Sequence, residues 1–206
     1  MKTVFSPRHL GHSNQVELVA GAIVPAFEKP SRAQFIHDRV LAVGLGEIIG
    51  PDEWPLDTAK KVHRPDYIDF LPTVWERWTA EGRTGTALPF TWPTRGLRGD
   101  KRPDFIDGML GYYSFDAGIG FVSGTWDAIK SSHDVALTAG RLVNDGQKAA
   151  YALCRPPGHR VVPSAVTGRI SGCIAVSQGG GEAVAVARST RIPPASFGRV
   201  SMGRRC

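Results

Sequence analysis

The stretch KAAYALCRPPGHR, residues 148–160, decides how the rest of the chain is interpreted. Its first half is an apolar run typical of a buried strand. The segment 123–146 just before it has the apolar spacing and the closing Asn-Asp-Gly of a long helix. A helix, a tight turn and an apolar strand in that order predict an α/β fold with a largely parallel sheet. Two prolines and a glycine then end the strand and place His159 beyond it, where such sheets expose catalytic groups.

Hydrophobic periodicity and turn residues predict the elements that precede this stretch. We expect strands at 2–6 and 47–51, helices at 30–46, 56–63 and 64–82, and irregular segments at 7–30 and 82–103. Pro72 is expected to kink or divide the third of these helices. Ser31 and Ser123 are the predicted N-caps of the first and last helices. The predicted apolar face of the first helix consists of Phe35, Ile36, Val40, Leu41 and Val43.

The formal net charge of +6 comes from one end of the chain. Residues 1–159 hold 18 Lys and Arg against 18 Asp and Glu, whereas residues 160–206 hold seven Arg and one acidic residue, Glu182. The basic composition therefore says nothing about what the body of the protein binds. Nucleic acid is not an expected partner, because the arginines of the tail are scattered and only Phe197 is an aromatic residue among them.

Residues 160–206 differ in composition from the rest of the chain. They contain no Leu, Lys, Asp, Asn, Tyr, Trp or His and consist mainly of Gly, Ala, Val, Ser, Arg, Ile and Pro. Such a segment has too few large apolar residues for a core, which predicts a low-complexity, largely disordered tail. The same composition is what a GC-rich coding sequence yields when it is read out of frame. Disorder and a frameshift product therefore both stay open as interpretations.

Three further features bear on location. The sequence has no run of about 18 apolar residues, and the apolar stretch near its N-terminus is too short for a signal peptide. Three widely spaced cysteines without a CxxC pair predict neither a disulfide framework nor a structural zinc module. We expect a cytoplasmic protein that has no membrane segment.

Several segments resemble, in order and spacing, the zinc-dependent deacetylase superfamily, which includes histone deacetylases and acetylpolyamine amidohydrolases. The strand and its end, 149–160, are similar to the family's apolar strand ending in R-P-P-G-H-H, and VHRPDYIDFL (62–71) is similar to its V-H-x-x-x-Y-x-x-F-L element. The segments VWERWTAEG, LGYYSFDAG and SGTWDAI also resemble the acetylpolyamine branch. The resemblance covers essentially residues 1–159. It implies the N-terminal part of an arginase/deacetylase-like α/β domain, with a parallel sheet flanked by helices, followed by the irregular tail.

The resemblance implies metal-assisted hydrolysis of acetylated polyamines or acetyl-lysine-like amines. In the family, zinc polarises the acetyl carbonyl and binds the attacking water, a histidine transfers the proton, and a tyrosine stabilises the oxyanion. His159 matches the first histidine of the family's tandem pair, but the second, the general base, is replaced by Arg160, which cannot accept a proton. The family's zinc ligands and oxyanion tyrosine belong after this point, and residues 160–206 contain no Asp, His or Tyr. We therefore expect a shortened, inactive member of the family that does not bind zinc.

Two more features are interpreted through the resemblance. Asp107 matches an acidic residue at the pocket mouth of the acetylpolyamine branch, which implies attraction of the substrate's distal ammonium group, although Asp is one methylene shorter than the Glu of that branch. The segment 82–103 matches an insertion that packs against a second subunit, which implies a homo-oligomer. His9 and His12 have a spacing that metal ligands can use, but we predict that they are ordinary surface histidines.

Two other functions stay open. The chain could be a non-catalytic partner of a full-length deacetylase that binds through residues 82–103, or a binding module that uses its basic tail. In either case, a parallel sheet that is only half built leaves an apolar edge uncovered, which predicts low solubility.

Overall fold

A computed structural model of the protein describes residues 1–156 with the exception of Asn14, Arg95, Leu97, Phe115 and Ile119. The predictions for His159 and for the tail at 160–206 therefore lie outside the described residues. In the described part, the strands are β1 (Lys2–Phe5), β2 (Val16–Val19), β3 (Ala22–Pro25), β4 (Ile48–Ile49) and β5 (Ala150–Leu153). The helices are α1 (Ser31–Ala42), α2 (Asp57–Val62), α3 (Pro65–Phe70), α4 (Val74–Ala80), α5 (Ile106–Tyr112) and α6 (Thr125–Asn144).

The predicted parallel sheet is confirmed, with β1 at its centre. The strand order is β4-β1-β5, and β1 is parallel to both neighbours. Thr3 pairs with Ile48 on one side and with Tyr151 on the other, so these three residues form one row across the sheet. The side chains of Thr3 and Val4 are fully buried, as expected for the middle strand of a covered parallel sheet.

Helix α6 covers one face of this sheet. Its residues Val135, Ala139 and Leu142 pack with Val4 of β1, and Ala150 and Ala152 of β5 add to the cluster. The predicted end of the helix is confirmed, because Gly146 takes a positive φ of 97° and its N–H bonds back to the carbonyl of Val143. No helix in the described part of the chain is both long and apolar enough to span a membrane.

A second, larger core lies between the short helices and the start of α6. Its aromatic centre contains a ring pair, Phe70 and Tyr113, with centroids 4.8 Å apart. The predicted break of the helix at Pro72 is confirmed, because residues Leu71–Thr73 form a 3-10 turn between α3 and α4. The main buried members of this cluster are Tyr67, Ile68, Phe70, Leu71, Val74, Trp78, Met109, Leu110, Tyr113, Phe121 and Ile129.

The prediction that residues 7–30 are irregular is wrong. The segment begins with a 3-10 turn at Pro7–Gly11 and continues as an antiparallel hairpin of β2 and β3. The two residues of the hairpin turn, Ala20 and Gly21, both have positive φ, at 49° and 82°. This conformation matches the right-handed twist of the strands, but alanine rarely adopts it, so residues 20–21 carry no clear turn signal.

The predicted environment of α1 is also wrong in part. Of the five apolar residues expected to form its buried face, only Val40 is buried, while Phe35 is 72% exposed and Leu41 57% exposed. The helix ends at Ala42, before Val43. Ser31 is the first helical residue and not the cap, because the helix has Pro30 at the cap position without a side-chain bond. The periodicity correctly predicted a helix. In the described part of the chain, however, most of the apolar residues of α1 are exposed to solvent.

The start of α6 differs from the prediction because of a backbone contact. Gly124, and not Ser123, is the cap residue, and it makes no side-chain cap bond. A Cβ atom on Gly124 would lie 2.5 Å from the carbonyl oxygen of Gly11 and 2.6 Å from its Cα. Glycine at both positions therefore lets the 3-10 turn pack directly on the first turn of the helix.

We expect Gly124→Ala to destabilise the protein by about 2 kcal/mol, because backbone atoms that cannot rotate away would have to move. Gly99→Ala is the matched control, since a Cβ atom there meets nothing within 4 Å. Urea denaturation measures both. Equal midpoints for the two variants would contradict the close contact between the 3-10 turn and α6.

Candidate active-site region

The carboxyl end of β5 leads directly into the Arg-Pro-Pro-Gly-His stretch that the sequence analysis singled out. The last strand residue is Leu153, and Arg155 follows two residues later with a side chain that is only 3% exposed. Parallel packing of β5 on β1 brings this end beside the 3-10 turn that follows β1. Arg155 is therefore the buried residue at the carboxyl end of β5, four positions before His159 in the sequence.

The guanidinium group of Arg155 is held by groups from the N-terminal part of the chain. Its Nε donates to Glu28 Oε1 at 3.1 Å, and its Nη2 pairs with Glu28 Oε2 at 2.9 Å. Its Nη1 donates to the carbonyl oxygen of His9 at 2.6 Å. Because the ion pair is buried, removing either partner would leave a charge that water cannot reach. The pair therefore fixes the end of β5 to the 3-10 turn and to the segment before α1.

The prediction that His9 and His12 lie on the surface is wrong. Their residues are 3% and 2% exposed. His12 Nδ1 lies 3.0 Å from Thr125 Oγ1, and its Nε2 lies 2.9 Å from Gln15 Nε2. Since an amide nitrogen can only donate, Nε2 accepts and the proton of neutral His12 is on Nδ1. Both ring nitrogens of His12 are thus engaged by protein groups.

His9 has a different environment, because neither of its ring nitrogens has a hydrogen-bond partner among the residues that the structure describes. Its ring lies against Phe5, with centroids 5.2 Å apart. Burial is the main cause that lowers the pKa of His9 to about 4, and electrostatic interactions with Arg155 and His37 lower it further. Burial followed by the charge of Arg155 lowers the pKa of His12 to about 3. Both imidazoles are therefore neutral over the physiological range.

Asp107, the predicted substrate-binding residue, lies in the first turn of α5 and is paired with Arg83. Arg83 Nη2 donates to Asp107 Oδ2 at 2.8 Å, and Nη1 contacts Oδ1, so the pair is bidentate. These hydrogen bonds are the main cause that lowers the pKa of Asp107. The carboxylate is ionised at neutral pH, and its charge is already balanced within the chain.

Arg83 is itself positioned by Trp78. The guanidinium carbon lies 4.4 Å from the centroid of the indole ring, a cation–π arrangement. Trp78 is 9% exposed, and its Nε1 donates to the carbonyl oxygen of Gly85 at 2.7 Å. The beginning of the 82–103 segment is thus attached to α4 at one place and to α5 at another.

The rest of this segment also packs on the body of the protein. Ala87 forms an isolated antiparallel bridge with Phe121, and a Cβ atom on Gly111 would overlap the carbonyl oxygen of Thr91. Phe90 remains 62% exposed. The segment is irregular, as predicted, and whether it forms a subunit interface stays a prediction.

The described residues do not fit a catalytic zinc ion. Among residues 1–156, with the five gaps given above, no group of three or more His, Cys, Asp or Glu side chains is placed to hold a metal ion. His12 cannot be released for a metal without breaking its bonds to Thr125 and Gln15. The structure brings together His9, Glu28 and Arg155, of which only His9 was considered from the sequence. It places Asp107 with Arg83 at a partly exposed position on α5, beside the other core.

The histone deacetylase domain family matches residues 26–169, and the chain belongs to this family. It is 48% identical over 159 residues to acetylpolyamine amidohydrolase 2 of Pseudomonas aeruginosa, a match that covers 77% of this chain and 46% of that protein. It is 39% identical over 159 residues to the acetylpolyamine amidohydrolase of Mycoplana ramosa, again covering 46% of the relative. The chain therefore spans about half the length of the curated relatives that it matches.

A solved structure agrees with the sequence match. The crystal structure of acetylpolyamine aminohydrolase from Burkholderia pseudomallei superposes with a TM-score of 0.71 at 30% identity and covers 84% of this chain and 49% of that one. The predicted resemblance and the deacetylase-like fold are thereby confirmed.

We expect stability to fall as the pH falls from 6.5 towards 4, because the unfolded chain protonates His9 there and the folded chain does not. The stability that neutral His9 allows is fully present above pH 6.5 and is lost by about 1.4 kcal/mol per pH unit below it. His9→Phe removes this titration and keeps an aromatic ring against Phe5. Urea denaturation at pH 7.5 and 5 should show a loss about 2 kcal/mol smaller in the variant. An identical loss in both proteins would contradict the buried neutral imidazole.

We expect a measurable coupling between Arg83 and Asp107. A double-mutant cycle with Arg83→Met and Asp107→Asn should give a favourable coupling free energy that decreases at high salt, because the pair is bidentate and only partly exposed. The cycle for Arg98 and Asp100 is the control. Those side chains are 77% and 65% exposed, and their coupling should be near zero. Equal couplings would show that Trp78 and partial burial add nothing to the first pair.

Proposed function

We propose that this 206-residue chain has the scaffold of an acetylpolyamine amidohydrolase but does not hydrolyse acetylated amines by itself. The observation that carries the proposal is the sequence at and after the catalytic dyad. Arg160 stands where the family resemblance expects the general base, and residues 160–206 contain no Asp, His or Tyr. A permanently protonated guanidinium cannot take a proton from water.

The donor set supports the same proposal. A catalytic zinc site needs three protein ligands drawn from His, Cys, Asp and Glu, with one position open for water. The described residues offer no such group, and the only such side chains after residue 159 are Cys173, Glu182 and Cys206. We therefore derive no catalytic step through zinc for this chain.

The substrate class of the scaffold is proposed from the relatives, which are named acetylpolyamine amidohydrolases. In this proposal, His159 has the position of the first catalytic histidine, and Asp107 faces the cationic end of the substrate. The structure adds a condition, because Asp107 is paired with Arg83. A polyamine ammonium group would have to displace a bidentate guanidinium before it could bind Asp107, which disfavours tight binding of long cationic substrates.

The division of the chain is part of the proposal. Residues 1–159 are the N-terminal part of the deacetylase-like domain, and 160–206 are a tail that lacks the family's functional residues. The curated matches cover 77% of this chain, and the family match extends to residue 169.

The test is hydrolysis of an acetylated polyamine and of an acetyl-lysine reporter by the purified chain with added zinc. We expect no turnover above buffer, while acetylpolyamine amidohydrolase 2 of Pseudomonas aeruginosa serves as the active control. Metal analysis after dialysis should find much less than one zinc per chain. Arg160→His should remain inactive, because the ligands are still missing.

Two outcomes would contradict the proposal. Turnover that a hydroxamate inhibitor abolishes would show that the chain builds a working site. Activity gained by Arg160→His alone would show that the missing base is the only defect and that the donor set is sufficient.

A further inference from the structure

The ion pair between Arg83 and Asp107 joins a helix to the beginning of the irregular segment 82–103. The guanidinium group contacts both oxygens of the Asp107 carboxylate, and its central carbon lies 4.4 Å from the centroid of the Trp78 ring. A carboxylate beside an aromatic face is a general receptor for an organic cation, because both groups attract positive charge. In this protein, the cation that contacts both groups is a side chain of the chain itself.

The two receptor groups are fixed by the fold. Trp78 belongs to α4 and is buried in the aromatic core, and its Nε1 donates to the carbonyl oxygen of Gly85 at 2.7 Å. Asp107 lies in the first turn of α5, next to the buried residue Ile106. Packing of the two helices therefore holds the ring and the carboxylate in place, whichever cation they contact.

Arg83, in contrast, stands on a stretch of chain with conformational freedom. Gly82 precedes it with a positive φ of 74°, and Gly85 follows two positions later. A Cβ atom at either glycine would meet nothing within 4 Å, and glycine adopts a wider range of backbone conformations than other residues. The side chains of Arg83 and Asp107 are 31% and 30% exposed, so a ligand in water can reach the pair.

A second arginine in the structure makes similar contacts but is used differently. Arg64 forms a bidentate pair with Asp66, and its guanidinium carbon lies 5.4 Å from the centroid of a tyrosine ring. Asp66 also accepts a hydrogen bond from the hydroxyl of Tyr113 at 2.7 Å, so it keeps a donor when Arg64 is removed. The hydrogen bonds that described side chains donate to Asp107 come from Arg83. Asp107 is therefore the carboxylate whose availability depends on a single arginine.

We propose that Arg83 is an internal competitor, which occupies an organic-cation site formed by the Trp78 ring and the Asp107 carboxylate. The site becomes available to an external amine only when the chain at Gly82 moves and takes the guanidinium group away. This inference rests on the proposed function for the class of ligand, a cationic amine. It adds the residue that controls access to Asp107.

The strength of the internal competition follows from the short tether. A group held by a short flexible linker acts at an effective concentration of the order of millimolar. An external amine at a lower concentration, making only the same two contacts, cannot replace it. A guanidinium group also pairs with a carboxylate through two parallel hydrogen bonds, which an ammonium group does not reproduce. Arg83 is thus a specificity-determining residue that acts against small ammonium ligands.

The test measures spermidine binding to the full 206-residue chain by isothermal titration calorimetry at low ionic strength. We expect Arg83→Met to bind spermidine about tenfold or more tightly than the unchanged chain, because the carboxylate and the ring lose their internal cation. Arg83→Gln should change the affinity in the same direction and serves as the second variant if the methionine variant does not fold. Arg83→Lys should stay within about twofold of the unchanged chain, since its ammonium group can still occupy the site.

Arg98→Met is the matched control. It removes the same charge and frees the carboxylate of Asp100 from a bidentate contact, but this pair is largely exposed. Its spermidine affinity should stay within about twofold of that of the unchanged chain. Adding Asp107→Asn to Arg83→Met should remove the gain in affinity. Thermal melts show which variants are folded.

Three results would overturn the proposal. The first is an equal spermidine affinity of the unchanged chain and the folded Arg83 variants. The second is the same gain in Arg98→Met, which would assign it to net charge. The third is a gain that persists when Asp107→Asn is added. Because the readout is binding, turnover by the unchanged chain would contradict the proposed function alone, and a missing gain in affinity would contradict this inference alone.

Discussion

Helix α6 is the element on which the described structure depends, because it is buried against two hydrophobic clusters at once. Its second half packs on β1 and β5, and its first half contributes Ile129 to the aromatic core of the short helices. Polar residues along it are used as well: Thr138 accepts hydrogen bonds from the backbone of Asp52 and from the indole of Trp54. A single helix therefore sets the distance between the sheet and the rest of the domain.

The electrostatics of the candidate site follow from one buried cation. Arg155 is neutralised by Glu28, yet its charge still contributes to keeping His9 and His12 unprotonated. A site floor made of neutral imidazoles beside a paired guanidinium has little net charge. The negative charge of Asp107, which the family resemblance predicts to attract the substrate, is also balanced, since Asp107 pairs with Arg83. In the described part of the chain, Arg155 and Asp107 are thus each paired with another side chain of the protein, so their charges are balanced internally.

The sequence predicted the elements whose signals are local. The periodicity of α6, the break at Pro72 and the apolar run of β5 each specify structure within a few residues. What it missed depends on contacts between distant residues. His12 bonds Thr125 across 113 positions, and Arg155 bonds the carbonyl of His9 across 146. Burial of these histidines could not be inferred from their neighbours in sequence.

Other errors have the same origin. The pairing of Arg83 with Asp107 depends on how α5 packs beside α4, which no spacing rule specifies. The apolar face of α1 was correctly recognised as a pattern, but a pattern does not state what covers it. Ser123 was a reasonable cap by residue type, and it lost that place because Gly11 approaches the backbone of Gly124. The role of His159 and the character of residues 160–206 stay predictions, the first from the family resemblance and the second from composition.

The register of the central sheet has a consequence for how this chain is made. Of the described strands, β1 leaves the ribosome first, and it cannot pair with β5 until about 150 further residues have been synthesised. During that time the described strand available to pair with it is the two-residue strand β4, and its apolar residues can pack only on α6 once that helix has been made. Contacts between such distant segments form late and slowly. Strand β1 therefore lacks its neighbour β5 during most of the synthesis of the described residues. Vectorial synthesis therefore delays pairing on the β5 side of β1 until the end of the described part has been made.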